Sequence, residues 1–565
     1  MKYILDNVAT PWLSSYGEVA PHLDYSEKSM AACVLETAKN DPDFPALSFM
    51  GRKIPYKELA VHIDEVARAF YAIGVRKGQR VMVCLPNVPQ AVYCLYGLNR
   101  IGAIASMVHP LSAVGELAFY LDEASCDVAV TLDQFYAKFL DVKAQRPIKK
   151  LIVTRVSGEL PFPLNLGQKL MTERKFPKIN TSDDVILWDE FLKGGSSLTE
   201  GYIDNDKDYR EEAVVLFSGG TTGVTKGIML SDLNFNALAQ QTAEMSHEEV
   251  HHCKMLAAMP VFHGFGLGVC IHTVLFAGGT AILVPRFNVK SYANLIKKNR
   301  PNFIAGVPTL FEAITRNKYL DGADLSCLRG VFSGGDSLTI ELKKKFDKFL
   351  AEHNASIRVR EGYGTTECVT ACCLTPYNKE KEGSIGIPYP DTYFKICKVG
   401  TQEVVPYGEE GEICLTGPSM MLGYINHEEE NASTMQKHAD GHVWLHTGDL
   451  GIMDDEGFVY FRQRIKRMII SSGYNVYPSQ IENILEGHPA VQRSCVIGVP
   501  DPYKMQKVKA FVVLTDSYEN TPETIESIMD HCRRHVAKYA MPYEIEVRES
   551  LPTTLVGKVA YTKLQ

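Results

Sequence analysis

The decapeptide Ser218-Gly219-Gly220-Thr221-Thr222-Gly223-Val224-Thr225-Lys226-Gly227 follows the apolar run Ala213 to Phe217. A β-rich run that empties into such a turn suits a fold in which a strand end meets an anion. Glycine permits positive φ and close backbone approach, while loop N–H groups, threonine hydroxyls and the Lys226 ammonium supply donors. The pattern points to phosphate and hence to a nucleotide. It is not the Walker loop, because Lys226 stands between Thr225 and Gly227 instead of between Gly and Ser/Thr. An ordinary kinase or GTPase is thereby disfavoured, and a flexible surface turn is the plain alternative.

Around this loop, short β-rich runs alternate with helical periods. Val81 to Leu85, Ala103 to Val108 and Val128 to Leu132 are spaced by Val88 to Leu98 and Gly115 to Glu123. Further on come Ala281 to Val284, Val289 to Lys298, Phe303 to Val307, Leu310 to Lys318, Gly330 to Phe332 and Leu338 to Leu350. This rhythm predicts an α/β fold of parallel, helix-covered sheets, with sites at strand carboxyl ends. After about Pro388 the pattern turns β-rich (Glu412 to Leu415, Gly457 to Phe461), and the last hundred or so residues read as a small α+β unit. A chain of 565 residues with 45% hydrophobic content supports more than one core.

Charge and cysteine usage exclude other classes. The net charge of −8 has no basic block that would track a nucleic acid or an anionic membrane. The 14 cysteines form no CxxC pair, and with no signal peptide after Met1 this reads as a reduced, cytoplasmic protein. Met255 to Pro285 lacks Asp, Glu, Lys and Arg, but Pro260, His263, His272 and its glycines break it into strand, turn, buried helix and strand, so no membrane span is predicted.

Other motifs sit where such sheets would present them. Ser333-Gly334-Gly335-Asp336-Ser337 ends one predicted strand, where backbone can lie flat against a base. Glu361-Gly362-Tyr363-Gly364-Thr365-Thr366-Glu367 ends the next and brings an aromatic ring and a carboxylate able to hold Mg²⁺. In Thr447-Gly448-Asp449 the carboxylate suits ribose hydroxyls. Gly557-Lys558 places an ammonium on a proline- and glycine-bounded loop able to swing into a site.

In this order, and together with Arg464-Ile465-Lys466, these segments make the chain resemble the adenylate-forming superfamily, and fatty acyl-CoA synthetases within it. The resemblance implies an amino-terminal domain over 1–463 and a mobile carboxyl-terminal lid over 464–565, with Lys466 at the hinge. It implies ATP held by Ser218, Gly219, Gly220, Thr221, Thr222, Gly223, Lys226, Gly335, Asp336, Ser337, Gly362, Tyr363, Gly364, Thr365, Thr366, Asp449, Arg464 and Lys558. Mg²⁺ would be bound by Glu367 and Thr222, with Lys558, His263, Thr222 and Glu367 catalytic. His263, Gly264 and Val307 would border the acyl group, and Ser472 and Gly473 would admit the arm of coenzyme A. The implied reaction is activation of a medium- or long-chain fatty acid to an acyl-adenylate, then transfer to coenzyme A. An aryl acid, or loading of a carrier-protein pantetheine, is the alternative. Amino-acid-activating relatives carry an aspartate where His263 stands, because a buried substrate ammonium needs a counter-charge.

The chain departs from its relatives in four places: Gly219 replaces a frequent serine, Thr225 a proline, Met505-Gln506 a Gly-Glu pair and Tyr561 an arginine. Two rival classes remain. His247-Glu248-Glu249-Val250-His251 has the HExxH spacing of a helical zinc protease site, with a solvated helix end as its plain reading. The other is a nucleotide-binding protein without turnover, against which the retained Lys558, Glu367 and Asp449 speak.

Overall fold

The computed structural model describes residues 1–167, 176, 178–198, 207–217, 225–471, 474–554 and 557–564. Two largely parallel sheets dominate. One runs, in spatial order, 387–388, 373–374, 359–363, 330–333, 303–306, 254–257, 280–283, 45–49, 52–55, with its strands parallel from 359–363 through 45–49. The other runs 423–424, 227–231, 212–217, 104–107, 80–84, 128–132, 150–154, 185–187, and only 227–231 is antiparallel to its neighbours. Both sheets have the helix-covered form that the alternating sequence rhythm predicts.

Between the layers lies the helix Pro89–Arg100, where Pro89 starts the first turn and every residue from Pro89 to Asn99 is buried. Such a helix needs its polar side chains satisfied internally. Asn99 does so by accepting from Ala31 N–H at 2.9 Å and donating to Asp232 at 2.7 Å. The helix Asp232–Ser246, also mostly buried, opens with a reciprocal cap in which Ser231 and Asn234 satisfy each other's backbone N–H groups.

Boundaries shift by two or three residues from the sequence-based expectation, for local reasons. The helix expected from Leu310 starts at Pro308 and ends at Thr315, and the one expected from Leu338 starts at Ile340 after the Thr339 side chain caps Leu342 N–H. The strand expected from Gly457 begins at Val459, because Gly457 turns at φ +81°. Met255 to Pro285 resolves into the strand Lys254–Ala257, the π-helix Phe265–His272 continuing as α-helix to Phe276, and the strand Thr280–Leu283. Among the described residues no helix is long and apolar enough to cross a membrane.

A third, antiparallel sheet (393–397, 410–416, 443–453, 435–437, with 459–464) follows. Beyond it the hydrophobic core changes. One cluster extends from Trp12 to Val459, while Ile469, Val476, Ile481, Leu485, Val496, Val508, Val512 and Ile528 belong to a separate cluster around a final five-stranded sheet. Lys466 sits in the short 3-10 turn Ile465–Arg467, between the last strand of one body and the first of the other.

Candidate active site

Strand ends and two crossing loops build the site. After the strand Gly330–Ser333 the chain turns at Gly334, whose N–H donates to Gly306 at 3.0 Å, and at Gly335, which has φ +82°. Asp336 then accepts Ser337 N–H through Oδ1 at 3.0 Å and faces Val559 N–H with Oδ2 at 3.4 Å. The neighbouring strand Val359–Tyr363 delivers Gly362 and Tyr363, and the Tyr363 hydroxyl donates to Asp449 Oδ2 at 2.7 Å. Gly364 admits no side chain, since a β-carbon there would lie 1.5 Å from the Thr370 carbonyl oxygen. Thr365 and Thr366 lead into Glu367, whose Oε1 accepts the Tyr424 hydroxyl at 2.8 Å.

Several buried polar atoms of this region are left without hydrogen bonds: Ser333 Oγ, Thr365 Oγ1 and Asp449 Oδ1. Asp449 Oδ1 has Arg464 Nε at 3.4 Å. Burial raises the Asp449 pKa, opposed chiefly by the Arg464 charge. Orphaned acceptors and donors at converging strand ends are costly unless a polar ligand completes them.

Lys558 enters from the carboxyl-terminal body. Gly557, at φ +84°, turns the chain, and its carbonyl accepts the Thr309 hydroxyl at 3.0 Å. The lysine stem crosses Gly335, where a β-carbon would stand 3.5 Å from Cε. Burial lowers the Lys558 pKa and Arg464 adds to this, while Asp336, Asp449 and Glu367 pull it up. The ammonium therefore lies in the field of the three carboxylates that the sequence motifs singled out. Val307 packs beneath both loops, with methyl groups 3.6 and 3.5 Å from the β-carbon positions of Gly335 and Gly557.

His263 stands at the mouth of the π-helix. Its Nδ1 accepts Phe265 N–H at 3.2 Å, and burial, reinforced by the Lys558 charge, lowers its pKa to about 3, so the ring is neutral. Gly264 admits no side chain, because its β-carbon would meet the Val369 carbonyl oxygen at 1.7 Å. Val369 is itself strained, a β-branched residue at φ +62° and ψ −59° immediately after Glu367 and Cys368.

Ser218, Gly219, Gly220, Thr221, Thr222 and Gly223 lie outside the described residues, as do Ser472 and Gly473. Lys226, just past that loop, has its Nζ 3.4 Å from Glu430 and 4.9 Å from the Tyr424 ring centre, next to the tyrosine that bonds Glu367. The HExxH spacing fails as a helical zinc site. The helix stops at Ser246, His247 is left-handed and pairs with Glu18 at 3.6 Å, and His251 lies beyond the helix beside Asp41.

Sequence reasoning missed the residues that hold others in place. Tyr424 restrains Glu367, and Glu312, on the same helix as Thr309, receives a hydrogen bond from Gln492 and has Arg493 at 3.8 Å. Tyr561, read only as a lost arginine, covers the Arg467 guanidinium at 4.9 Å. Met505 has a φ of +65°, a left-handed conformation that glycine adopts without strain. None of these contacts is visible without the fold, since each joins segments remote in sequence.

A family model described as AMP-binding enzyme matches residues 34–425, and one described as AMP-binding enzyme C-terminal domain matches 480–558. The chain belongs to the AMP-binding enzyme family. A long-chain-fatty-acid–CoA ligase of Bacillus subtilis (strain 168) is 34% identical over 98% of this chain and 97% of its own length. A probable 4-coumarate–CoA ligase 1 of Dictyostelium discoideum is 30% identical over 92% and 91%. The same fold is seen in ATP-bound MatB from Rhodopseudomonas palustris, with a TM-score of 0.81 at 23% identity over 95% of this chain and 98% of that one.

Proposed function

We propose that the protein is an AMP-forming acyl-CoA synthetase that activates a medium- or long-chain fatty acid with ATP and passes the acyl group to coenzyme A. The observation that carries this reading is the Lys558 ammonium, brought from the carboxyl-terminal body into the field of Asp336, Asp449 and Glu367. The relative from Bacillus subtilis, matched nearly end to end, supports the substrate class.

A carboxylate oxygen attacks the α-phosphorus of ATP, the bond to the bridging oxygen breaks, and pyrophosphate leaves with that electron pair. Negative charge builds where the phosphates meet, and a preorganised ammonium there is worth more than in water. Lys558 supplies it. Asp449 Oδ1, buried and without a hydrogen bond, accepts a ribose hydroxyl, while Gly334 to Ser337 and Tyr363 enclose the base. Neutral His263 orients the carboxylate without adding charge. Glu367 fits Mg²⁺, because Tyr424 occupies only Oε1 and leaves an oxygen for a hard cation; when bound, with Thr222 as a partner, the ion would offset phosphate charge.

In the second half a thiolate attacks the acyl carbonyl and AMP leaves. We assign residues 464–565 as the lid that withdraws Lys558 for this step, with Lys466 as hinge and Ser472-Gly473 facing the thiol. The fourteen free cysteines accord with a reducing cytoplasm. Pyrophosphate release measured across carboxylic acids, with and without coenzyme A, tests the reading. Release that responds to aryl acids and not to fatty acids, or that yields no acyl-CoA, overturns it in favour of an aryl or carrier-protein ligase.

A further inference from the structure

The second histidine of the HExxH motif has a place of its own. Asp41, which ends the helix Met30–Asn40, accepts from two imidazoles: His251 Nε2 at 2.7 Å on Oδ2 and His252 Nε2 at 3.2 Å on Oδ1. Adjacent residues of an extended chain point their side chains apart. Here both rings reach one carboxylate because His252 is left-handed at φ +59°, a conformation that costs energy for a side chain with a β-carbon. The seat is shaped for His251 as well. Gly278, at φ +81°, lies beneath it, and a β-carbon there would meet the His251 ring at 2.5 Å. His252 is held from the other side by Phe44, stacked at 4.1 Å, and its N–H donates to Gly278 O at 3.1 Å.

One ring nitrogen from each histidine and one Asp41 oxygen all lie within 4.8 Å of one another. Ligands at zinc–nitrogen and zinc–oxygen distances of about 2.0–2.2 Å around a tetrahedral ion sit roughly 3.3 Å apart. His251 Nε2 and His252 Nε2 reach the two different oxygens of Asp41, at 2.7 and 3.2 Å, and the rings stack at 3.9 Å, so both nitrogens face one carboxylate; a cation seated there takes the Nε2 lone pairs while each ring carries its proton on Nδ1. Two imidazoles and one carboxylate suit Zn²⁺, Ni²⁺ or Co²⁺ and offer too few oxygens for Ca²⁺ or Mg²⁺.

We propose that Asp41, His251 and His252 form a surface site for a divalent transition-metal ion, with the remaining coordination positions taken by water. The ion clips the carboxyl end of the helix Met30–Asn40 to the loop that feeds the strand Lys254–Ala257. Bound only by the folded chain, it raises stability by mass action. The site stands apart from the groups around Lys558 and serves the fold, not the reaction.

The test uses tag-free, EDTA-treated full chain titrated with Co²⁺ and followed by visible absorption. This readout separates nitrogen and oxygen ligands from the many cysteine thiols, because thiolate ligation adds an intense charge-transfer band. We expect one Co²⁺ per chain without that band, at least tenfold weaker binding in His251→Gln and Asp41→Asn, and unchanged binding in His247→Gln. Zn²⁺ should raise the thermal midpoint of the unsubstituted chain and not of His251→Gln, with pyrophosphate release equal in both. Should His251→Gln fold poorly, His252→Gln, which keeps the Asp41–His251 bond, gives the same reading. Equal binding by the unsubstituted chain and these variants, equal loss in His247→Gln, or a thiolate band overturns the proposal.

Discussion

His263 and His272 stand nine residues apart at the two ends of one buried segment, and burial pushes both pKa values down to about 3. Their hydrogen bonds differ. His272 has both ring nitrogens engaged inside the fold, by Tyr96 Oη at 3.0 Å and Asn236 Oδ1 at 3.0 Å. His263 engages only Nδ1, and among the described residues its Nε2 makes no hydrogen bond while Lys558 stands near enough to lower its pKa. The shared pKa shift therefore does not mark function. The half-buried His263 keeps a ring nitrogen for a ligand beside a cation, which is the ground on which a role in the proposed reaction is assigned to it.

The largest effect should come from the cation on the His263 side. Lys558→Ala should slow acyl-dependent pyrophosphate exchange by about 100- to 1000-fold, the cost of one preorganised donor, roughly 2.7–4 kcal/mol, with the thermal midpoint nearly unchanged. Undiminished exchange would remove Lys558 from the reaction. His263→Ala should lower adenylate formation by up to about 100-fold through a misplaced carboxylate, again with little change in stability.

His272→Ala should do the reverse. It leaves the Tyr96 hydroxyl and Asn236 Oδ1 buried and unpaired, while Asn236 Nδ2 keeps its bond to the Lys28 carbonyl, at about 1–3 kcal/mol for each orphaned group, so denaturant melts should show the loss while turnover per folded molecule stays the same. A variant that keeps its stability but loses activity would break the contrast.

Acidification sharpens it further. The folded chain keeps His272 neutral down to about pH 3, whereas the unfolded chain binds a proton below about 6.5, so stability is lost as pH falls through that window. His272→Asn should flatten the fall between pH 6.5 and 4.5 in urea titrations. An unchanged slope would show that other groups govern it.

The smallest effect belongs to the proposed lid. Glu312→Ala removes the Gln492 and Arg493 contacts, worth about 1 kcal/mol, and should slow adenylation severalfold while sparing thioester formation from supplied acyl-adenylate. Equal slowing of both half-reactions would argue against a latch.

The alternating apolar runs already contained the sheets, since a strand buried on both faces and a helix of fixed period leave their signature in local composition. Gly335, Tyr363, Asp449 and Lys558 were legible for a related reason: glycine at a strand end, or a carboxylate within a glycine turn, announces its backbone geometry locally. Tertiary structure alone decided which of the two histidines keeps a nitrogen available. It also decided that Tyr424 restrains Glu367, that Glu312 meets Gln492 and Arg493, and that the HExxH spacing splits so that His251 and His252 share Asp41 instead of a helix face. Each of these depends on pairing between segments distant in sequence, and local composition carries no record of which partner a hydrogen-bonding group will find.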